Sequence, residues 1–193
     1  MHCHHGKHRG PAAAAACALA TEKWSRGQAT AWLKQAGTDP AYRGLYRDVN
    51  ELVIPDEAET SALAPDFPET VPAPSLVEAM LEIDRLHDDL KRLANQNWKP
   101  AAGARSAPAE VAVQLLEHYR ELQRNEETER RGPGFASRLK QAEDGADALR
   151  EALEPFETSR ASAAELEKVT QAFGRVGQNC KACHTEFRDG SDR

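Results

Sequence analysis

Four stretches of this chain repeat one pattern, apolar residues at alternating steps of three and four, and that period decides the fold class. The first stretch opens on Ser75-Leu76-Val77-Glu78, a capping box in which Ser and Glu satisfy each other's end of the first turn. Its seam runs Leu76, Ala79, Ile83, Leu86, Leu90 and Leu93. The second starts near Ser106 and Pro108 and carries Val111, Leu115, Tyr119 and Leu122. The third follows Gly132-Pro133-Gly134 with Phe135, Leu139, Ala142, Ala146, Leu149 and Leu153, and Pro155 ends it. The fourth opens on a second capping box, Ser162 to Glu165, and continues Leu166, Val169, Phe173, Val176, Cys180, Cys183 and Phe187. Helices with such polar outer faces are not stable alone, so the stripes must be buried against one another. Four helices of about 20 residues, each spanning ~30 Å, joined by short connections, predict an antiparallel four-helix bundle over residues 75–193.

Composition agrees with an all-α chain. Ala (33) and Leu (17) far outnumber Val (8) and Ile (2), the β-branched residues that strands prefer. The formal net charge of −6 argues against nucleic-acid binding, which needs a basic face. No apolar run is long enough for a membrane span.

Ahead of the bundle the chain is of a different character. Residues 1–20 pass from a cationic, His-rich start to an Ala-rich stretch ending Ala18-Leu19-Ala20, the order of an export signal. Lipid anchoring through Cys17 is a lesser alternative, and a plain tail is another. Residues 21–54 read as an appendage of two short helices with Trp24, Trp32, Tyr42 and Tyr46, either a small core or a partner surface. Residues 55–74 hold five prolines and five acidic residues and read as an extended linker.

The chemistry lies near the other end. Cys180-Lys181-Ala182-Cys183-His184 puts two thiols where Leu or Val would serve a plain core, with an imidazole beside them. This is the attachment pattern of c-type haem: two thiols one turn apart add across two vinyl groups, and the histidine ligates iron. A structural zinc site would need four ligands, with His87 and His118 as the nearest additions in sequence. A thioredoxin-like dithiol would follow a strand and open a helix, whereas this pair comes after several helical turns. Neither suits the pattern as well as haem, nor do inert core cysteines.

A four-helix bundle whose last helix ends on Gln178-Asn179-Cys180-Lys181-Ala182-Cys183-His184-Thr185-Glu186-Phe187-Arg188 resembles the cytochrome c′ family, the class II c-type cytochromes. The resemblance covers residues 75–188. It implies thioether links at Cys180 and Cys183, His184 as the proximal iron ligand, and Arg188 near the proximal face, though a helix-end cation explains Arg188 equally well. It also implies that the first bundle helix meets the distal side of the haem, with Met80, Leu81 and Ile83 there and Met80 either a sixth ligand or an apolar cover. His87 reads instead as a boundary histidine beside Asp88 and Asp89.

The resemblance further implies haem c iron, redox partner proteins or small gases such as NO and CO, a periplasmic location, and homodimers through the first two bundle helices. No paired carboxylates, nucleophile triad or phosphate loop accompanies the motif, so the chain reads as an electron carrier and not an enzyme. A five-coordinate gas-binding haem protein and a haem-free redox-switch bundle are the alternatives.

Overall fold

The computed structural model describes residues 6–63, 74–100, 106–157 and 162–188, and these are helical with no strand among them. The chain divides into two compact units, Met1–Ala73 and Pro74–Arg193.

The first unit packs α1 (Arg9–Thr21), α2 (Arg26–Gln35) and α3 (Arg43–Glu51) against one another, with a short α4 (Glu57–Ser61) beyond them. Its core is Ala12, Ala15, Leu19, Ala29, Leu33 and Val49, edged by Trp24, Trp32, Leu45, Tyr46 and Leu52. Trp24, Trp32 and Tyr46 of the appendage thus serve a core, while Tyr42 stacks on His8 at 4.0 Å. Trp24 meets Trp32 edge-on, and the Tyr46 hydroxyl donates to the Thr38 carbonyl at 2.7 Å. The Ala-rich stretch read as a leader forms α1, whose Ala12, Ala15 and Leu19 are spaced to share one inward face. Cys17 is exposed on this helix. The first turn of the expected linker is not extended: Asp56 and Glu59 form a capping box that nucleates α4. Residues 64–73 of that linker lie outside the described residues.

The second unit is the expected bundle, formed by α5 (Leu76–Asn95), α6 (Pro108–Leu122), α8 (Pro133–Leu153) and α9 (Ala163–Phe187), with a short α7 (Glu126–Arg130) before α8. Both predicted capping boxes are present, at Ser75 with Glu78 and at Ser162 with Glu165. Gly132 starts α8 at φ +86°, a left-handed backbone that a side chain would strain, and Pro133 takes the first helical position. The α helix of the third stretch ends at Leu153, and Pro155 lies in a single 3-10 turn, Glu154–Glu157.

Each helix packs along its length on the next: α5 on α6, α6 on α8, and α8 on α9. The fourth side, between α5 and α9, is the least closely packed. Leu86, Leu90, Leu115, Leu139, Leu149 and Val169 are sealed at the centre. Residues outside the seams join them, Ala112, Leu116 and Ala172 on the helices and Trp98 beyond α5. Trp98 is 3% exposed and meets Phe173 edge-on at 5.5 Å. It is held there by the end of α5, where the Trp98 N–H donates to the Leu93 carbonyl at 2.7 Å and the Asn97 N–H to that of Ala94 at 3.0 Å. That pair of bonds is a Schellman motif, with Asn97 in the left-handed position.

A polar lock ties α6 to α8. Glu143 accepts from Arg120 Nε at 3.2 Å, from Lys140 Nζ at 3.2 Å and from the Gln123 amide. Burial alone would lift its pKa, but these donors, Gln123 foremost, outweigh it and hold the carboxyl below its usual range. A carboxylate with a lowered folded pKa adds stability above its unfolded pKa and loses it as pH falls through the folded value. Glu143→Gln should therefore cost about 1 kcal/mol at neutral pH, with the difference from wild type fading as acid protonates Glu143. Denaturant midpoints across that range measure it, and a difference that persists undiminished in acid contradicts it.

Candidate haem site

The stripe of α9 changes along its length. Val169, Ala172 and Val176 are buried, whereas Cys180, Cys183, His184 and Phe187 are only half covered. The polypeptide therefore closes the upper part of this face and leaves the end that carries the thiols incompletely filled. Cys180, Cys183 and Phe187 pack against the margin of the core, and both cysteines are free thiols.

Close helix approach fixes α9 in register on α8. A Cβ on Gly145 would stand 3.0 Å from Asn179 Nδ2, which donates to the Gln141 carbonyl at 3.0 Å. Further down, Phe187 crosses Phe135 edge-on at 5.3 Å and lies against Gly134, while Arg138 pairs with Glu186 at 2.8 Å. These contacts hold the cysteine-bearing turns at one end of the bundle. The same end receives the start of α5, since Asn125 Nδ2 donates to the Pro74 carbonyl and the Leu76 N–H to Glu127. Helices α5 and α9 are therefore antiparallel.

That orientation relates the two faces of the loose seam. His87 stacks on Phe173 at 5.1 Å and reaches toward Gly177. His184 lies seven residues beyond Gly177 on the same stripe of α9, and Met80 lies seven residues before His87 on α5. Seven residues are two turns, so Met80 comes level with His184 across the seam. Met80 is half-buried against the core and Ile83 is fully buried.

Leu81 is not brought to this site. It is 64% exposed, because one residue turns a helix by about 100° and Met80 takes the inward position. His87 is more enclosed than its acidic neighbours imply, its ring being half-buried on Phe173. Arg188 is the exposed C-cap of α9, its N–H donating to the His184 carbonyl at 2.9 Å.

Sequence reasoning placed Tyr119 in a core stripe without seeing what it faces. Its hydroxyl lies 3.6 Å from Cys180 Sγ. Burial first, and then the Cys180 and Cys183 sulfurs, push its pKa well above the ordinary tyrosine value. Burial likewise raises the Cys183 thiol, partly offset by the Arg138 guanidinium. An open depression of about 490 Å³ lined by Arg138, Lys181, Ala182, Thr185 and others lies on the opposite flank of α9, away from the thiols.

This donor set suits an iron porphyrin. Two thiols one turn apart, inward-facing and half-covered, match two vinyl groups, and the adjacent imidazole is an iron ligand. No group of three or more His, Cys, Asp or Glu among the described residues is gathered to hold a bare metal ion. A porphyrin supplies the remaining donors from its own nitrogens.

Fold and donor set together fit the class of c-type haem proteins built as helical bundles. A family model of cytochrome c′ matches residues 77–188, more than half of the chain, and the chain belongs to that family. Members of the family are generally haem proteins without enzymatic activity. Neither a curated relative nor a solved structure matches the chain. No helix among the described residues is long and apolar enough to cross a membrane.

Proposed function

We propose that the protein carries single electrons on one covalently bound haem c, outside the cytoplasmic membrane where such haem is attached. When bound, the haem iron supplies a reversible one-electron couple. Cys180 and Cys183 hold the ring as thioethers, His184 ligates the iron, and Met80 is the sixth ligand, with Ile83 walling the same side. The observation that carries this reading is the register of Met80 with His184 across the least closely packed seam. An iron held by His and Met in both oxidation states reorganises little on electron transfer. The export-like order of residues 1–20 supports a periplasmic location.

The partners are redox proteins that approach the haem edge. A second copy of the chain is a further partner, supported by Val77 and Leu81, which are 67% and 64% exposed one turn apart on α5.

Gas binding is the alternative, favoured by the apolar neighbours of Met80, which would equally line a pocket for NO or CO. Absorption spectra decide between the two. Met ligation predicts a low-spin spectrum that CO leaves unchanged, and a Met80→Ala variant that gains CO binding. A wild-type spectrum shifted by CO overturns electron carriage in favour of the gas-binding reading. A haem-free bundle with a Cys180–Cys183 disulfide is the third reading; haem stain that stays with the denatured chain excludes it.

A further inference from the structure

Tyr119 is the exception on the inner stripe of α6. Val111, Leu115 and Leu122 fill that stripe with aliphatic groups, and Phe at 119 would pack equally well without burying a hydroxyl. The Tyr119 residue is 3% exposed, so its hydroxyl has no recourse to bulk water. Among the described residues its hydrogen-bond partner is Cys180 Sγ, reached across the core from α9. Sulfur is a weak partner for a buried hydroxyl, too weak to account for the hydroxyl by packing alone.

We propose that Tyr119 is a positioning residue for the haem linkage, its hydroxyl donating an O–H···S hydrogen bond that orients the Cys180 thioether. This deepens the haem reading above and rests on it. With a free thiol either atom could donate. Addition of the S–H across a vinyl group forms the C–S bond and moves the thiol hydrogen to the neighbouring carbon, with no net change of oxidation state. The sulfur is afterwards an acceptor only, so attachment itself fixes the direction of the bond. A tyrosine hydroxyl is protonated at neutral pH, and the burial of Tyr119 favours that neutral, donating form further. A donor on that sulfur draws electron density from the ring edge and favours the more electron-rich ferrous form.

The test uses haem-loaded protein matured in a cell that attaches haem c. In wild type, the C–S stretching band in the resonance Raman spectrum should shift on exchange from H2O to D2O; this needs no variant. In Tyr119→Phe the D2O sensitivity should vanish, and the ferrous-to-ferric ratio at a fixed potential should fall about threefold, ~28 mV at 59 mV per tenfold for one electron. In a Cys180→Ala background, with haem held through Cys183, the same Tyr119→Phe change should leave that ratio unmoved, because the coupling runs through one sulfur. A wild-type band indifferent to D2O overturns the proposal. So does a threefold fall that persists without Cys180, or a Tyr119→Phe variant that keeps the D2O sensitivity. Wild-type protein that matures without haem overturns the reading beneath it instead, and is told apart by its lack of colour.

Discussion

In a Cys180→Ala/Cys183→Ala variant, all haem colour should leave the polypeptide on denaturation, where wild type keeps it. Both thiols occupy the inward stripe of α9, and they are the two nucleophiles one turn apart at the end where that stripe is half covered. Alanine at both positions retains the helix and removes every covalent anchor, so the expected loss is complete. His184→Ala separates attachment from ligation: the thioethers survive and colour stays with the chain, while the spectrum loses the signature of an imidazole-bound iron. A haem-stained denaturing gel and an absorption spectrum read both outcomes. Colour that stays with the denatured double variant would mean that the linkage lies elsewhere.

Trp98→Ala should destabilise the bundle by about 3–5 kcal/mol, the range for deleting a large buried aromatic. Trp98 is 3% exposed and crosses Phe173, on which His87 also stacks. Removing the indole therefore empties the end of the α5–α9 seam and loosens the contact that sets their register. Backbone strain does not offset the loss, since Trp98 sits at φ +61° and alanine keeps that left-handed cost. Trp98→Phe should recover part of the stability by restoring an aromatic edge to Phe173. Denaturant unfolding measures both, and a cost for Trp98→Ala under about 1 kcal/mol, within the usual scatter of surface substitutions, contradicts the assignment of Trp98 to the core.

The bundle was legible because its signals are local and repeated. Leu139, Leu149 and Val169 recur at helical spacing, and Ser75 and Ser162 announce two helix starts in the same way. What escaped depends on chain geometry between those stretches. Trp98 follows α5 outside its period, yet Asn97 one residue before it is a residue type that accepts the left-handed position of a Schellman end. The short α7 has an almost wholly polar sequence and shows no stripe. It is pinned by Asn125, whose side chain caps it, and by Thr128, buried with its hydroxyl on the Leu122 carbonyl at 2.7 Å.

The site was legible in part for the same reason. Cys180, Cys183 and His184 form a contiguous motif, so spacing alone carries it. Leu81 is adjacent to Met80 in sequence, but adjacency on a helix means a different face, and only the inward one of the two belongs near the site. The pairing of Tyr119 with Cys180 joins residues 61 apart and exists only once α6 and α9 are packed. In the first unit, Ala12, Ala15 and Leu19 already had helical spacing, but an Ala-rich, cationic start also fits a leader, and composition does not separate the two.

Intact-mass measurement of the denatured wild-type protein, made in a cell that matures c-type cytochromes, tests the central claim most directly. The expected mass exceeds that of the polypeptide by one haem, and the sample is red. A colourless sample at the bare polypeptide mass would contradict the account.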